Sequence, residues 1–155
     1  MAGGIEVRGA DQLAKMAKRF RAQGRAGIVR EMVKEVRNEV KPIQAAQRRE
    51  VSGLQHAPTE WKRYSAKAAR IRVTTGARSA GVRLTVAGKS QDARRARLLN
   101  KGSWRHPFFG DRDGDWFTQT VRPGWFDRPA EKGEPFVRTR ILQILNRYMR
   151  RLEGR

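Results

Sequence analysis

The sequence predicts an α+β subunit: a small antiparallel sheet of about three to four strands packed against a long N-terminal helix and a C-terminal helix. Three observations predict it. Apolar residues recur at helical spacing over long segments at both ends of the chain. Short runs with period-2 alternation lie between them. The length, 155 residues, suits one domain that buries a modest core.

Ile5 to Val7 suggest a short leading strand or an extended arm. A helix then starts at Asp11, a suitable N-cap. Leu13, Met16, Ala17 and Phe20 fall on one face of it, and Gly24 and Gly27 break it. A longer helix is expected from about Ala26 to Glu50, with Val29, Met32, Val33, Val36, Val40 and Ile43 as its apolar set. Pro42 should kink or divide it near Val40. Its polar residues are segregated: Glu31, Glu35 and Glu39 form an acidic row beside a basic row of Arg30, Lys34, Arg37 and Lys41. Like charges at i, i+4 repel by a few tenths of a kcal/mol. Segregated rows would suit side-by-side packing with a second copy of the helix; the plainer reading is an ordinary solvated face.

SGLQHAPT, residues 52–59, reads as a loop whose Thr59 caps a short helix to Ala69. Ile71 and Val73, then Val82, Leu84 and Val86, read as two antiparallel strands joined by a basic loop. A short helix ending near Asn100 follows. Trp116 to Val121 is the third strand, after the Asp113-Gly114 turn signal. The last helix opens at Gly133-Glu134-Pro135, with Pro135 in its first turn. Val137, Ile141, Ile144, Leu145, Tyr148 and Leu152 form its stripe.

Charge narrows the function classes. There are 35 basic against 15 acidic residues, net +20, with 26 Arg and 9 Lys. Such self-repulsion disfavours an isolated monomer and favours a polyanionic or acidic neighbour. Arg is also the preferred cation for phosphate and for interface ion pairs, because its planar fork binds bidentately; a GC-rich coding genome would enrich Arg equally. No apolar run approaches the ~18 residues that span a bilayer, so no membrane partner is expected. MAGGIEVRGADQ has no charged segment leading into an apolar run, so no secretory signal is expected. With no cysteine, disulfides and thiolate metal sites are excluded.

Residues 98–128, LLNKGSWRHPFFGDRDGDWFTQTVRPGWFDR, carry seven of the twelve aromatics. Trp104, Phe108 and Phe109 read equally as core or as interface, whereas Trp116, within a strand, reads as core. Catalytic and metal patterns fail on spacing. Counting Asp111 as the first ligand of a calcium loop puts Trp116 at position six and Arg122 at position twelve, where Gly and Glu are needed. Gly76 to Gly81 has phosphate-loop spacing but is followed by Val82-Arg83 rather than Lys-Ser/Thr. His56 and His106 have no ligand-spaced partner, and no Ser, His and Asp set stands out. The chain reads as non-enzymatic, with no cofactor. A basic nuclease would have to use Asp111, Asp113 and Asp115.

Several of these segments carry a likeness. Gly4-Ile5-Glu6-Val7-Arg8-Gly9 before an amphipathic helix, the Thr75-Gly76 hairpin, Asn100-Lys101-Gly102-Ser103-Trp104-Arg105-His106-Pro107-Phe108-Phe109-Gly110 and Pro123-Gly124-Trp125-Phe126 with its closing helix together resemble the tail-completion, or head-to-tail joining (tail terminator), proteins of long-tailed bacteriophages. The likeness covers nearly the whole chain and departs at 52–70, which is longer and more basic than the family pattern. It implies a virion protein of the neck and tail, assembled in the host cytoplasm. It further implies a ring, commonly of six copies, between the tail-tube protein and a head-completion or connector protein. DNA would pass through the lumen without sequence-specific binding. On this reading the interface residues are Trp104, Arg105, Phe108, Phe109, Trp125 and Phe126, with Glu31, Glu35, Arg30 and Lys34 on the long helix. Arg78, Arg83, Arg94, Arg95 and Arg97 face the lumen or an acidic partner. The alternative is a general basic nucleic-acid-binding protein, which the net charge supports and the absence of a known reading motif opposes.

Overall fold

Each long amphipathic pattern becomes a helix, and the two longest pack against each other along their whole length. The computed structural model describes residues 10–76, 80–88, 90–107 and 112–154. The expected arm at Ile5 to Val7, together with Arg78, Phe108 and Phe109, lies outside them. Within them the fold is α+β, with five helices and two small antiparallel sheets.

Helix α1 (Ala10–Ala22) buries Leu13, Met16, Ala17 and Phe20. Asp11 lies in its first turn rather than ahead of it, where its charge suits the helix dipole. The helix ends as a Schellman turn: the Arg25 N–H donates to the Phe20 carbonyl at 2.8 Å, and Gly24 supplies the positive φ of 70°. Gly27 does not help break the chain; it falls in the first turn of α2 (Ala26–Ser52). Nor does Pro42 divide α2. Its ring is exposed, so the lost backbone hydrogen bond faces water, while Val36, Val40, Ile43, Gln47 and Val51 stay buried on the opposite side. A proline on the solvent side of a well-packed helix leaves the packing stripe intact.

Helix α3 (Thr59–Ala68) begins one residue earlier than expected, and Pro58, not Thr59, occupies the N-cap position with no side-chain cap. The first hairpin is as expected: β1 (Ala69–Thr74) pairs with β2 (Gly81–Val86), Ile71 opposite Leu84 and Val73 opposite Val82. After α4 (Ser90–Lys101), β3 (Ser103–Pro107) pairs with β4 (Trp116–Thr120). The four strands form two separate two-stranded sheets rather than one. A lone two-stranded sheet is marginal, so each hairpin depends on the helices beneath it.

Helix α5 (Asp127–Leu152) starts six residues before the expected Gly133, and Pro135 lies exposed inside it. The extra turns bury Pro129 and Ala130. The order of its contacts makes it antiparallel to α2: Glu50 meets Arg128, Ile43 meets Gly133, Glu35 meets Arg147 and Glu31 meets Arg151. At Gly133 the helices approach so closely that a Cβ would lie 2.5 Å from Ile43 Cγ1. Ile43 is β-branched and buried, so it has little room to yield.

Gly133→Ala therefore tests this contact. Helix propensity alone favours Ala by up to about 1 kcal/mol, while overpacking costs about 1–3 kcal/mol. Net destabilisation of about 1–2 kcal/mol in urea unfolding is expected. A neutral or stabilising result would show that the helices do not meet there.

Candidate functional site

The aromatic stretch divides into a buried part and an exposed part. Residues 121–126 are pinned to the end of α4. The Val121 N–H donates to the Gly102 carbonyl at 2.8 Å and the Gly124 N–H to the Asn100 carbonyl at 2.7 Å. The Asn100 side chain completes the clasp, accepting from the Phe126 N–H at 2.9 Å and donating to Asp127 at 2.6 Å. Gly102 is required here. Its φ is 85°, and a Cβ would lie 2.8 Å from the Pro123 Cβ and 2.9 Å from the Val121 carbonyl oxygen. The indole of Trp125 reaches inward to donate to the Ala96 carbonyl at 3.1 Å.

This clasp corrects three of the interface expectations. Trp125 is fully buried, Phe126 nearly so, and Trp104 is 6% exposed, stacked obliquely on Trp61 at 5.1 Å. Their rings are core within the chain, with no surface left for a partner. Trp116, expected in the core, is instead 46% exposed, as is Phe117 beside it. Burial falls along the β3–β4 hairpin from Trp104 at its base, through half-buried His106, to Phe117 and Trp116. The far end of the hairpin stands clear of the core. Trp116 and Phe117 are adjacent in sequence and so present rings on opposite faces. Arg105, exposed, shares the face of Trp116. An alternating pattern marks a half-buried strand only where the strand has a core to cover, and this one does not.

The polar rows of α2 meet a neighbour within the same chain. Glu31 pairs with Arg151 at 3.5 Å, and Glu35 pairs with Arg147 and accepts from the Tyr148 hydroxyl at 3.0 Å. The acidic row thus lies along α5, whose stripe is flanked by arginines. Arg30, Lys34, Arg37 and Lys41 remain exposed on the other side. Exposed ion pairs contribute at most about 1 kcal/mol each. The Tyr148 hydroxyl is the more consequential group: burial first, then the hydrogen bond to Glu35 and the negative charges of Glu35 and Glu31, raise its pKa well above the ordinary phenol value.

Beside the seam an open trough of about 830 Å³ runs between Ala46 and Arg49 of α2, Leu54 and His56 of the following loop, and Thr120 and Arg122 after β4. A smaller hollow of about 300 Å³, reaching Lys132 and the exposed ring of Phe136, shares Ala46, Glu50 and Arg122 with it. The Gln119 side chain donates to the His56 carbonyl and holds the loop against β4. His56 adopts a left-handed φ of 60°, a conformation uncommon outside glycine. The trough is lined by both polar and apolar residues, with Arg49, Glu50 and Arg122 as its charged groups.

The candidate lumen arginines are dispersed. Arg83 lies exposed on β2, and Arg94 and Arg97 on the outer face of α4. Arg95 is half-buried, 3.7 Å from Asp92 and stacked over Trp61, so it braces α4 against α3. Arg70 and Arg72, missed in the sequence reading, stand exposed on the same hairpin face as Arg83, with Arg72 directly opposite it. The signal for them was present in the alternation of ARIRVT, where every second residue is Arg or Thr once the apolar positions are assigned inward.

Among the described residues no group of three or more His, Cys, Asp or Glu is placed to hold a metal ion, and no helix is long and apolar enough to cross a membrane. No family model matches the chain, and neither a curated protein nor a solved structure matches it.

The Tyr148 environment sets a pH prediction. The folded state holds the phenol proton more tightly than the unfolded chain does. Stability from this group is fully present below pH ~10 and falls as pH rises past it, by up to about 1.4 kcal/mol per pH unit. Urea unfolding of Tyr148→Phe should lack that part of the alkaline decline. At neutral pH it should be less stable by about 1.5–3 kcal/mol, the worth of a hydrogen bond to a charged acceptor.

Proposed function

We propose that the chain is a structural protein of a phage neck and tail. Copies of it form a ring that caps the tail tube and joins it to the head connector, with DNA passing through the lumen. One observation carries this reading: the β3–β4 hairpin projects beyond the core with Trp116 and Phe117 each 46% exposed. The two rings give the hairpin an exposed aromatic on each face, and Trp, Phe and Arg are enriched at protein interfaces. The likeness of the Asn100–Gly110 and Pro123–Phe126 segments to tail-completion proteins supports the same reading. Their buried residues then form the scaffold that aims the hairpin outward, and Arg105, Trp116 and Phe117 form the contact. Net +20 favours a neighbour of opposite sign, and a ring around DNA supplies one.

The mass of the protein by light scattering after size exclusion, alone and with a candidate tail-tube protein, tests this. A ring-sized species, alone or only with the tube protein, is expected. The double variant Trp116→Ser/Phe117→Ser should abolish it while leaving the helical core folded, as far-UV circular dichroism would show. A monomer that ignores the tube protein yet binds DNA with a steep salt dependence would establish instead the general nucleic-acid-binding reading.

A further inference from the structure

Half of the outer face of the β1–β2 hairpin is arginine: Arg70, Arg72 and Arg83 stand among Thr74, Gly81 and Thr85. Arg70 and Arg72 project from β1 and Arg83 from β2, all exposed, with Thr85 beside them opposite Arg70. The inner face carries Ile71, Val73, Val82 and Leu84, which pack into the core. Arg72 and Arg83 are directly opposed in the register. Like charges in that position destabilise a strand pair, and among the described residues no carboxylate pairs with either. Just beyond the end of β1, Arg21 at the end of α1 donates to the Thr75 hydroxyl at 2.8 Å. Strand geometry spaces Arg70 and Arg72 by about 7 Å.

We infer that this face, Arg70, Arg72 and Arg83, is a contact surface for the phosphate backbone of nucleic acid. Three features favour phosphate over an acidic protein. The face has no large exposed apolar residue to anchor a protein partner, whereas the β3–β4 hairpin has two. Guanidinium forks bind phosphate oxygens bidentately, and the Thr85 hydroxyl adds a neutral donor. The repulsion between Arg72 and Arg83, which no carboxylate offsets among the described residues, is relieved by a polyanion. Contacts of this kind position nucleic acid without reading bases. The identity of the polyanion as DNA rests on the ring reading above; the cationic face itself does not.

The test measures affinity for a fluorescein-labelled DNA duplex by anisotropy between about 50 and 200 mM salt. Three variants are compared with the parent: Arg70→Gln/Arg72→Gln/Arg83→Gln, the same three positions changed to Lys, and a charge-matched control, Lys15→Gln/Arg138→Gln/Arg150→Gln, at exposed sites on α1 and α5. Each lost phosphate contact lowers the slope of log affinity against log salt by about 0.9. The Gln triple should lose two to three units of slope, the Lys triple should keep it, and the control should lose less than one. The Gln triple should melt at or above the parent temperature, because it removes a like-charge pair. Equal losses in the Gln triple and the control would overturn the inference, since the charge would then act without a site. So would an unchanged slope in the Gln triple, or an unchanged slope with lost binding to polyglutamate, which would assign the face to an acidic protein. The oligomeric mass is read separately. A Gln triple that still forms the parent assembly but loses the slope supports the inference. A parent that never forms a ring yet shows the same slope pattern removes the ring reading and leaves the phosphate face standing.

Discussion

The antiparallel seam between α2 and α5 is the constraint on which the other elements depend. It runs from the Glu31–Arg151 pair at one end to Glu50–Arg128 at the other, with Gly133 against Ile43 between them. Its centre is apolar, and burial of Val36, Val40, Ile43, Ile141, Ile144 and Leu145 supplies the driving force. The polar groups do a different task. Gln47, wholly buried, donates to the Phe126 carbonyl at 2.8 Å and so fixes where α5 begins relative to α2. The ion pairs at the margins add little energy and instead favour one facing of the helices, because rotating α2 about its axis would set the arginines of α5 against the basic row.

From that seam the remaining elements follow in sequence. Fixing the start of α5 fixes Trp125 and Phe126, and the clasp at Asn100 then fixes the end of α4. The end of α4 sets the direction of β3, because only a residue without a Cβ at 102 allows the chain to turn beside Pro123. Trp104 anchors the base of the second hairpin on Trp61, and burial falls off beyond that anchor. The exposure of Trp116 and Phe117 is thus a geometric result of where the clasp releases the chain. The first hairpin is placed independently, by Val82 and Leu84 against the core and by the Gln44 side chain, which donates to the Ala69 carbonyl at 2.6 Å.

Charge is distributed according to the same architecture. Among the carboxylates, Glu31, Glu35, Glu50 and Asp127 are used along the seam and at the clasp. The arginines of β1 and β2 receive none of them. In a chain of net +20, the carboxylates held along that seam and at the clasp are not available to the arginines of the first hairpin. Apolar anchors and cationic face therefore lie on different hairpins, a separation that suits contact with two chemically different neighbours.

The sequence by itself determined the helices and their buried stripes, the pairing of β1 with β2, and the α+β class, because each of these is a periodicity that local chain geometry converts directly into a face. It also marked the glycine- and aromatic-rich segments that form the clasp. Tertiary structure decided what those faces meet. The acidic row of α2 read as a solvated face or as a contact for a second copy of the helix, whereas the fold sets Glu31 and Glu35 against α5 of the same chain. Trp104, Trp125 and Phe126 differ from Trp116 and Phe117 in burial, not in residue type, and no local pattern separates them. The start of α5 at Asp127 and the continuity of α2 through Pro42 also escaped local rules, because packing along the seam outweighs the preferences of single Gly and Pro residues. The grouping of Arg70, Arg72 and Arg83 needed a register, which is a relation between strands and is absent from either strand alone.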